Sequence, residues 1–269
     1  MAVSPARFID PPMRPCYNGC GSITSTETQG IGLMNTLKRA LGGISAGMVL
    51  DVATGEGHFI RTLTANLGSY LEIIGIDTLP YTRAAGHIFC AENVHFVQMN
   101  AAQLAFEDER FDTVSISSSL HHLENIPRCA AEMKRVLKAG GRFIIRETHQ
   151  DVQAEPQLTD MYLHHWVAEV DSALGFTHHR TFTRQELVAL VRGLGLCNAA
   201  FHDISNTDLD PLDETAIKET EDTIDRYIRY TRGLPDHKTL QQRGEEIRQR
   251  LHEVGIQWEP ELIVVGQKP

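Results

Sequence analysis

Between Met48 and Arg146 the chain alternates short apolar runs rich in β-branched residues with longer stretches of helical period. The runs 48–52, 71–77, 94–98, 111–117 and 142–146 read as buried strands. Helices are predicted near 57–68, 80–91 and 126–138, the last with Cys129, Met133, Val136 and Leu137 on one face. Strands that alternate with helices in this way form parallel sheets joined by right-handed crossovers. Upstream, residues 1–30 lack periodicity and read as an irregular arm, and 31–41 carries a helical stripe of Ile31, Met34, Leu37 and Leu41.

After Glu147 the rhythm changes. Residues 153–174 predict one helix. Thr183 and Glu186 then form a capping box, followed by the stripe Leu187, Leu190, Val191 and Leu194, with Gly195 at the C-cap. A strand near 198–204, a polar insertion over 207–257 with helices near 213–231 and 236–254, and an apolar run 261–266 complete the chain. The expected organisation is the arm 1–30 and one domain 31–269, with helical insertions near 151–180 and 207–257. The fold class is α/β.

The chemistry concentrates where the first strand ends, in Val49-Leu-Asp-Val-Ala-Thr-Gly-Glu-Gly57. A buried strand delivers Asp51 at its carboxyl end, and Gly55 and Gly57 allow backbone amides to approach a ligand. The second strand ends in Asp77, 20 residues beyond Gly57, where a carboxylate can accept both hydroxyls of a ribose. A tight turn without a ligand and a helix-capping aspartate are the plain alternatives. Two acids at adjoining strand ends favour a nucleoside site.

With these residues the chain resembles the class I S-adenosylmethionine-dependent methyltransferases of the small-molecule type. Four ordered segments carry the resemblance: 49–57, Ile76-Asp77, Asn100-Ala-Ala-Gln-Leu104 and Phe111-Asp-Thr-Val-Ser-Ile-Ser-Ser-Ser-Leu-His-His-Leu123. Leu137-Lys-Ala-Gly-Gly-Arg-Phe143 follows them. The resemblance covers 48–147 closely and the last two strands loosely. It implies a doubly wound, seven-stranded, mostly parallel sheet of the Rossmann-like methyltransferase fold. The last strand would run antiparallel between the fifth and sixth, and the added helices would form a lid. It also implies S-adenosylmethionine as cofactor. Asp51, Ala53, Thr54, Gly55 and Gly57 would border its methionine part. Asp77 would hold the ribose, with Thr78 and Leu79 beside the adenine. Asn100 and Ala101 would face the base, and Ser117 and Ser118 would lie near the sulfonium. Two residues depart from the family pattern: Ala53 stands where a glycine is frequent, and Asn100 where Asp is commoner.

Composition narrows the partners. A net charge of −10 disfavours phosphate backbones and anionic lipid. No apolar run is long enough to cross a bilayer and the start lacks a signal-peptide pattern, so a cytoplasmic protein is expected. The five cysteines show no CxxC. Cys16 and Cys20 have no second cluster at zinc spacing, and no metal site is predicted.

Three histidine pairs stand out among 13 histidines: His121-His122, His164-His165 and His178-His179. Two of the pairs could in principle meet around a metal, but no acid at fixed spacing marks such a site. As candidate bases we single out His149 after the fifth strand, His165 on the following helix, and His122. For His165 the alternative is a packed core histidine. Trp166, Tyr162 and Tyr227 suit either an aromatic acceptor or the core.

The function expected is methyl transfer to a small-molecule acceptor. The insertion 207–257 serves equally well as a lid or as a homodimer surface. A nicotinamide-dependent oxidoreductase and a non-catalytic cofactor-binding module are the alternatives.

Overall fold

The computed structural model describes residues 31–78 and 91–269. The arm, the helix expected near 80–91, Leu79, and Cys16, Cys20 and Cys90 lie outside them. In chain order the described elements are α1 (Ile31–Leu41), β1 (Met48–Val52), α2 (His58–Asn66), β2 (Glu72–Asp77), β3 (Val94–Gln98) and β4 (Phe111–Ser117). After a 3₁₀ turn, Leu120–His122, come α3 (Ile126–Val136), β5 (Leu137–Thr148), α4 (Glu155–Ala173), α5 (Arg184–Gly193), β6 (Cys197–Ile204), α6 (Glu214–Tyr230), α7 (His237–Val254) and β7 (Glu261–Gln267).

The strands form one seven-stranded sheet in the order β3-β2-β1-β4-β5-β7-β6. β1 to β5 are parallel, and β7 runs antiparallel between β5 and β6 as the resemblance implied. The apolar runs are continuous because both sheet faces are covered. Val49, Ile73, Ile144 and Ile263 point to the face packed by α1 and α2, through Leu37, Leu41, Phe59, Ile60 and Leu63. Their neighbours Leu50, Ile74, Ile145 and Val264 point to the other face, which meets Cys129 and Met133 of α3 and Leu187 and Val191 of α5. The capping box at Thr183 and Glu186 forms, and Gly195 takes φ +63° just beyond α5.

A third apolar cluster binds α4, α6 and α7 to one another through Leu163, Trp166, Val170, Ile224, Tyr227, Leu240 and Leu251. Trp166 and Tyr227 are therefore core residues. Tyr162 is exposed, with the Arg250 guanidinium 5.6 Å from its ring centroid. This helical layer joins the sheet through polar anchors. Gln157 Nε2 donates to the carbonyls of Ser205 and Trp258, and Asp160 accepts the Glu259 amide at 2.8 Å. At the base of β7, Arg146 and Glu261 form a buried two-pronged pair, with Nη2 to Oε1 at 2.9 Å. None of the described helices is long and apolar enough to cross a membrane.

Gly244, inside α7, is set by this packing. A β-carbon there would lie 2.7 Å from Trp166 Cζ2, while Trp166 Nε1 is held by the Leu240 carbonyl at 2.8 Å. In an exposed helix, Gly→Ala gains about 1 kcal/mol. Here overpacking reverses the sign, and Gly244→Ala is expected to destabilise by about 1–2 kcal/mol in urea denaturation. A stabilised variant would contradict this packing.

Candidate functional site

Asp51 sits at the end of β1, 1% exposed, between two hydroxyl donors. Thr54 Oγ1 donates to one carboxylate oxygen at 2.7 Å and Ser115 Oγ to the other at 2.6 Å. Burial pushes its pKa up to about 6, against the lowering effect of those two bonds, and the neighbouring Asp77 raises it further. The strand tip thus stores a carboxylate whose charge is poorly solvated and would gain from a cation.

The turn that follows is wound through the left-handed region, with Ala53 at φ 55°, Gly55 at φ 52° and Gly57 at φ 84° as the N-cap of α2. It is pinned to β2 by Thr54 N–H on the Ile76 carbonyl (2.9 Å) and by Gly55 N–H on Asp77 Oδ2 (3.0 Å). Gly75 makes this approach feasible, since a β-carbon there would come within 2.9 Å of Ile60 Cδ1 and Thr54 Oγ1. A β-carbon at Gly55 would meet no atom of the described residues within 4 Å. The turn therefore packs tightly on its β2 side and leaves space beyond Gly55.

Neighbouring strand tips complete the row. Met99 N–H bonds the Asp77 carbonyl at 2.8 Å, and Gln98 Nε2 bonds that of Thr78 at 2.8 Å. Asn100 Oδ1 accepts the Ala102 amide at 2.8 Å, beside the buried Ala101. After β4, Ser118 takes φ 47°, and Ser119 Oγ lies 2.7 Å from the Ser117 carbonyl and 3.3 Å from that of Ala53. Asp51, Ala53, Thr54, Gly55, Gly57, Asp77, Thr78, Asn100, Ala101, Ser117 and Ser118 all fall at or just beyond the carboxyl ends of four adjacent strands. Ligands bind there in open α/β sheets.

The histidines divide. His165 is 9% exposed, and its Nε2 lies 2.9 Å from Thr181 Oγ1, which donates to Glu259 Oε1 at 3.0 Å. The imidazole is thus the donor, and burial lowers its pKa to about 4. His149 is buried, with no hydrogen-bond partner at Nδ1, and burial lowers its pKa. The His122 ring packs against His121 and His178 at 4.3 and 4.1 Å between centroids. One member of each pair, His121, His164 and His178, meets the others in a single buried cluster. Sequence reasoning passed over Ser119, Asp171, Glu147 and Glu259. Glu147 stands at a strand tip, and that position was its one visible signal.

Two predictions follow from this geometry. An alanine at φ 55° carries strain that glycine relieves, so Ala53→Gly should stabilise the protein by about 1 kcal/mol in denaturant unfolding. Asp51 binds its proton more tightly folded (about 6) than unfolded (3.8). Stability therefore falls as pH rises from about 4 to about 6 and stays lowered above that, by about 2–3 kcal/mol. Asp51→Asn should accordingly stabilise the ligand-free protein more at pH 8 than at pH 5. An equal effect at both would contradict the raised pKa.

Comparison with known proteins agrees with this architecture. Residues 50–145 match the family described as Methyltransferase domain. A demethylmenaquinone methyltransferase of Staphylococcus aureus is 34% identical over 137 residues, 50% of this chain and 56% of that protein. A ubiquinone/menaquinone biosynthesis C-methyltransferase of Idiomarina loihiensis is 32% identical over 127 residues, 45% of this chain and 51% of that one. The chain spans about half the length of the curated relatives it matches. Among solved structures, the YcgJ protein of Bacillus subtilis superposes with a TM-score of 0.54 at 21% identity, covering 88% of this chain and 97% of that one. A Haemonchus contortus phosphoethanolamine N-methyltransferase in complex with S-adenosylhomocysteine gives 0.53 at 15% identity, over 89% and 53%. Residues 50–145 match a methyltransferase domain, and the chain shares its seven-stranded fold with solved methyltransferase structures.

Proposed function

We propose that this chain transfers the methyl group of S-adenosylmethionine to a nucleophilic atom of a small-molecule acceptor. The observation that carries this reading is the glycine turn between Asp51 and Asp77, with the Gly55 amide held on Asp77 and open space beyond Gly55. These residues fit the cofactor. Asp77 would accept the ribose hydroxyls, and the turn and the poorly solvated Asp51 would favour the cationic methionine end. Thr78, Asn100 and Ala101 would border the base, and Ser117 and Ser118 the sulfur.

The cofactor supplies an electrophilic methyl group, and the protein supplies orientation and a dry pocket. His149 is the base this reading favours. Burial holds its pKa below the ordinary histidine value, and its Nδ1 has no hydrogen-bond partner among the described residues. His165 donates its Nε2 proton inward, so a positioning role suits it better, and His122 would border the reacting centre. The helices beyond β5 would cover the acceptor. The relatives' names point to quinone precursors. The family match ends at residue 145, ahead of those helices, so it speaks for the donor site more than for the acceptor. The net charge of −10 disfavours a nucleic-acid acceptor, and the same reading takes the enzyme to be cytoplasmic.

Calorimetry should show S-adenosylmethionine or its demethylated product binding to the intact protein, with loss of binding in Asp77→Ala and Gly55→Val. His149→Ala should retain cofactor binding while turnover falls about 10²- to 10⁴-fold on an acceptor found by screening. No cofactor binding by the intact protein would overturn the assignment.

A further inference from the structure

His121, in the 3₁₀ turn after β4, His164, in the middle of α4, and His178, in the segment after α4, are all at most 3% exposed. Their three ring centroids lie 4.9, 5.4 and 5.2 Å apart. Each ring carries a carboxylate on its Nδ1: Glu147 Oε1 at 3.1 Å from His121, Glu259 Oε2 at 3.2 Å from His164, and Asp171 Oδ2 at 2.7 Å from His178. The carboxylates are anchored in turn. Glu147 accepts the amides of Ser119, Leu120 and Thr148, Glu259 accepts the Thr181 hydroxyl, and Asp171 has the Tyr227 hydroxyl at 3.4 Å.

A neutral imidazole that donates Nδ1–H to a carboxylate has its lone pair on Nε2. The Nε2 atoms of His164 and His178 stand 3.2 Å apart, and the ligand atoms of all three rings lie within 4.8 Å of one another. His121 Nε2 is buried with no hydrogen-bond partner. Lone pairs facing each other in a dry space repel. A proton on His164 would ease the one close pair. Burial opposes that proton, while Glu259 outweighs burial and holds the pKa above the ordinary value. Yet that proton satisfies only His178 and leaves His121 Nε2 unpaired.

We propose that His121, His164 and His178 form a three-histidine centre for a divalent transition metal of the zinc class, with Glu147, Glu259 and Asp171 orienting the ligands. One dication answers the converging lone pairs. Zinc–nitrogen bonds of about 2.0–2.1 Å in a tetrahedron set neighbouring nitrogens about 3.3–3.4 Å apart, close to the observed 3.2 Å pair. The ligand nitrogen of the third ring, within 4.8 Å of the other two, would have to move closer to complete the set. Imidazole donors select zinc, iron, cobalt or nickel over magnesium or calcium. Three protein ligands among the described residues leave an ion of this class one exchangeable position, as in catalytic sites. The centre also adjoins the strand-tip row, because Ser119, which bonds Glu147, lies 3.3 Å from the Ala53 carbonyl.

The test is independent of methyl transfer. The full chain is stripped with a chelator, incubated separately with zinc, cobalt or magnesium, and dialysed. Expected are one zinc or cobalt retained per chain, no magnesium, a raised melting temperature with zinc, and a visible cobalt spectrum of low-symmetry nitrogen ligation. His121→Ala and His178→Ala should lose the retained metal and the thermal shift, while His252→Ala, on the surface, keeps both. Glu259→Gln should weaken binding about 10- to 100-fold. Substoichiometric retention by the wild type, unchanged retention in both histidine variants, or a thiolate-to-cobalt charge-transfer band would overturn the proposal. A thiolate band would assign the metal to cysteine. If neither histidine variant folds, the cobalt spectrum of the wild type decides between nitrogen and sulfur ligation.

Discussion

The Glu147 carboxylate, buried at the tip of β5, is the constraint on which both candidate sites depend. Its two oxygens take the amides of Ser119 and Leu120, the amide of Thr148 and the His121 ring. A chain leaving β4 must bend, and Ser118 does so at φ 47°, a conformation that needs outside support. Glu147 gives that support by collecting the amides the bend exposes. On one side the fixed bend brings Ser119 to the Ala53 carbonyl and so braces the glycine turn. On the other it turns His121 inward toward α4. One buried acid, satisfied by four donors, therefore sets the relative position of the strand-tip row and the histidine cluster. An unpaired carboxylate there would cost several kcal/mol, and the observed bonds remove that cost.

The helical layer is placed by polar contacts more than by its own apolar face. α4, α6 and α7 satisfy one another around Trp166 and Tyr227, and that cluster alone would not define where they lie against the sheet. Glu259, just ahead of β7, supplies the definition. Its amide goes to Asp160 of α4, and its carboxylate goes to His164 of α4 and to Thr181. Directional bonds buried in a low-dielectric setting are costly to misplace, so they select one docking geometry.

The sheet and its helices were legible in the sequence because their signals are local. The strand limits 48–52, 94–98 and 111–117 match the structure, and the capping box at Thr183 marked the start of α5 within one residue. The strand 142–146 was read short because β5 begins at Leu137, directly where α3 ends, and shifts register through Gly140 and Gly141 before pairing regularly. A bulge of this kind has no periodic signature. At the candidate site, the residues on the strand tips were legible for the same local reason. The three-histidine cluster was not. Its members come from a turn, a helix and a loop, and their carboxylates from positions 147, 171 and 259. Adjacent histidine pairs hinted at half of it, but which ring of each pair turns inward is decided only by tertiary packing.

Two left-handed non-glycine residues and a poorly solvated acid meet at the carboxyl edge of the sheet. Ala53 and Ser118 take left-handed conformations without being glycine, and Asp51 is held where its charge is poorly solvated. The central strands are apolar on both faces, α3, α5 and α6 start on side-chain caps, and the Arg146–Glu261 pair is doubly bonded. Left-handed residues also occur elsewhere, at Glu109, Asn198 and Asn206, but among the described residues only at this edge do they lie beside a buried carboxylate of raised pKa. The combination makes sense if the edge is complete only with something bound. A cationic group beside Asp51 would remove the charge penalty. The conformational cost is then the preorganisation of a binding surface, carried permanently by a sheet stable enough to bear it.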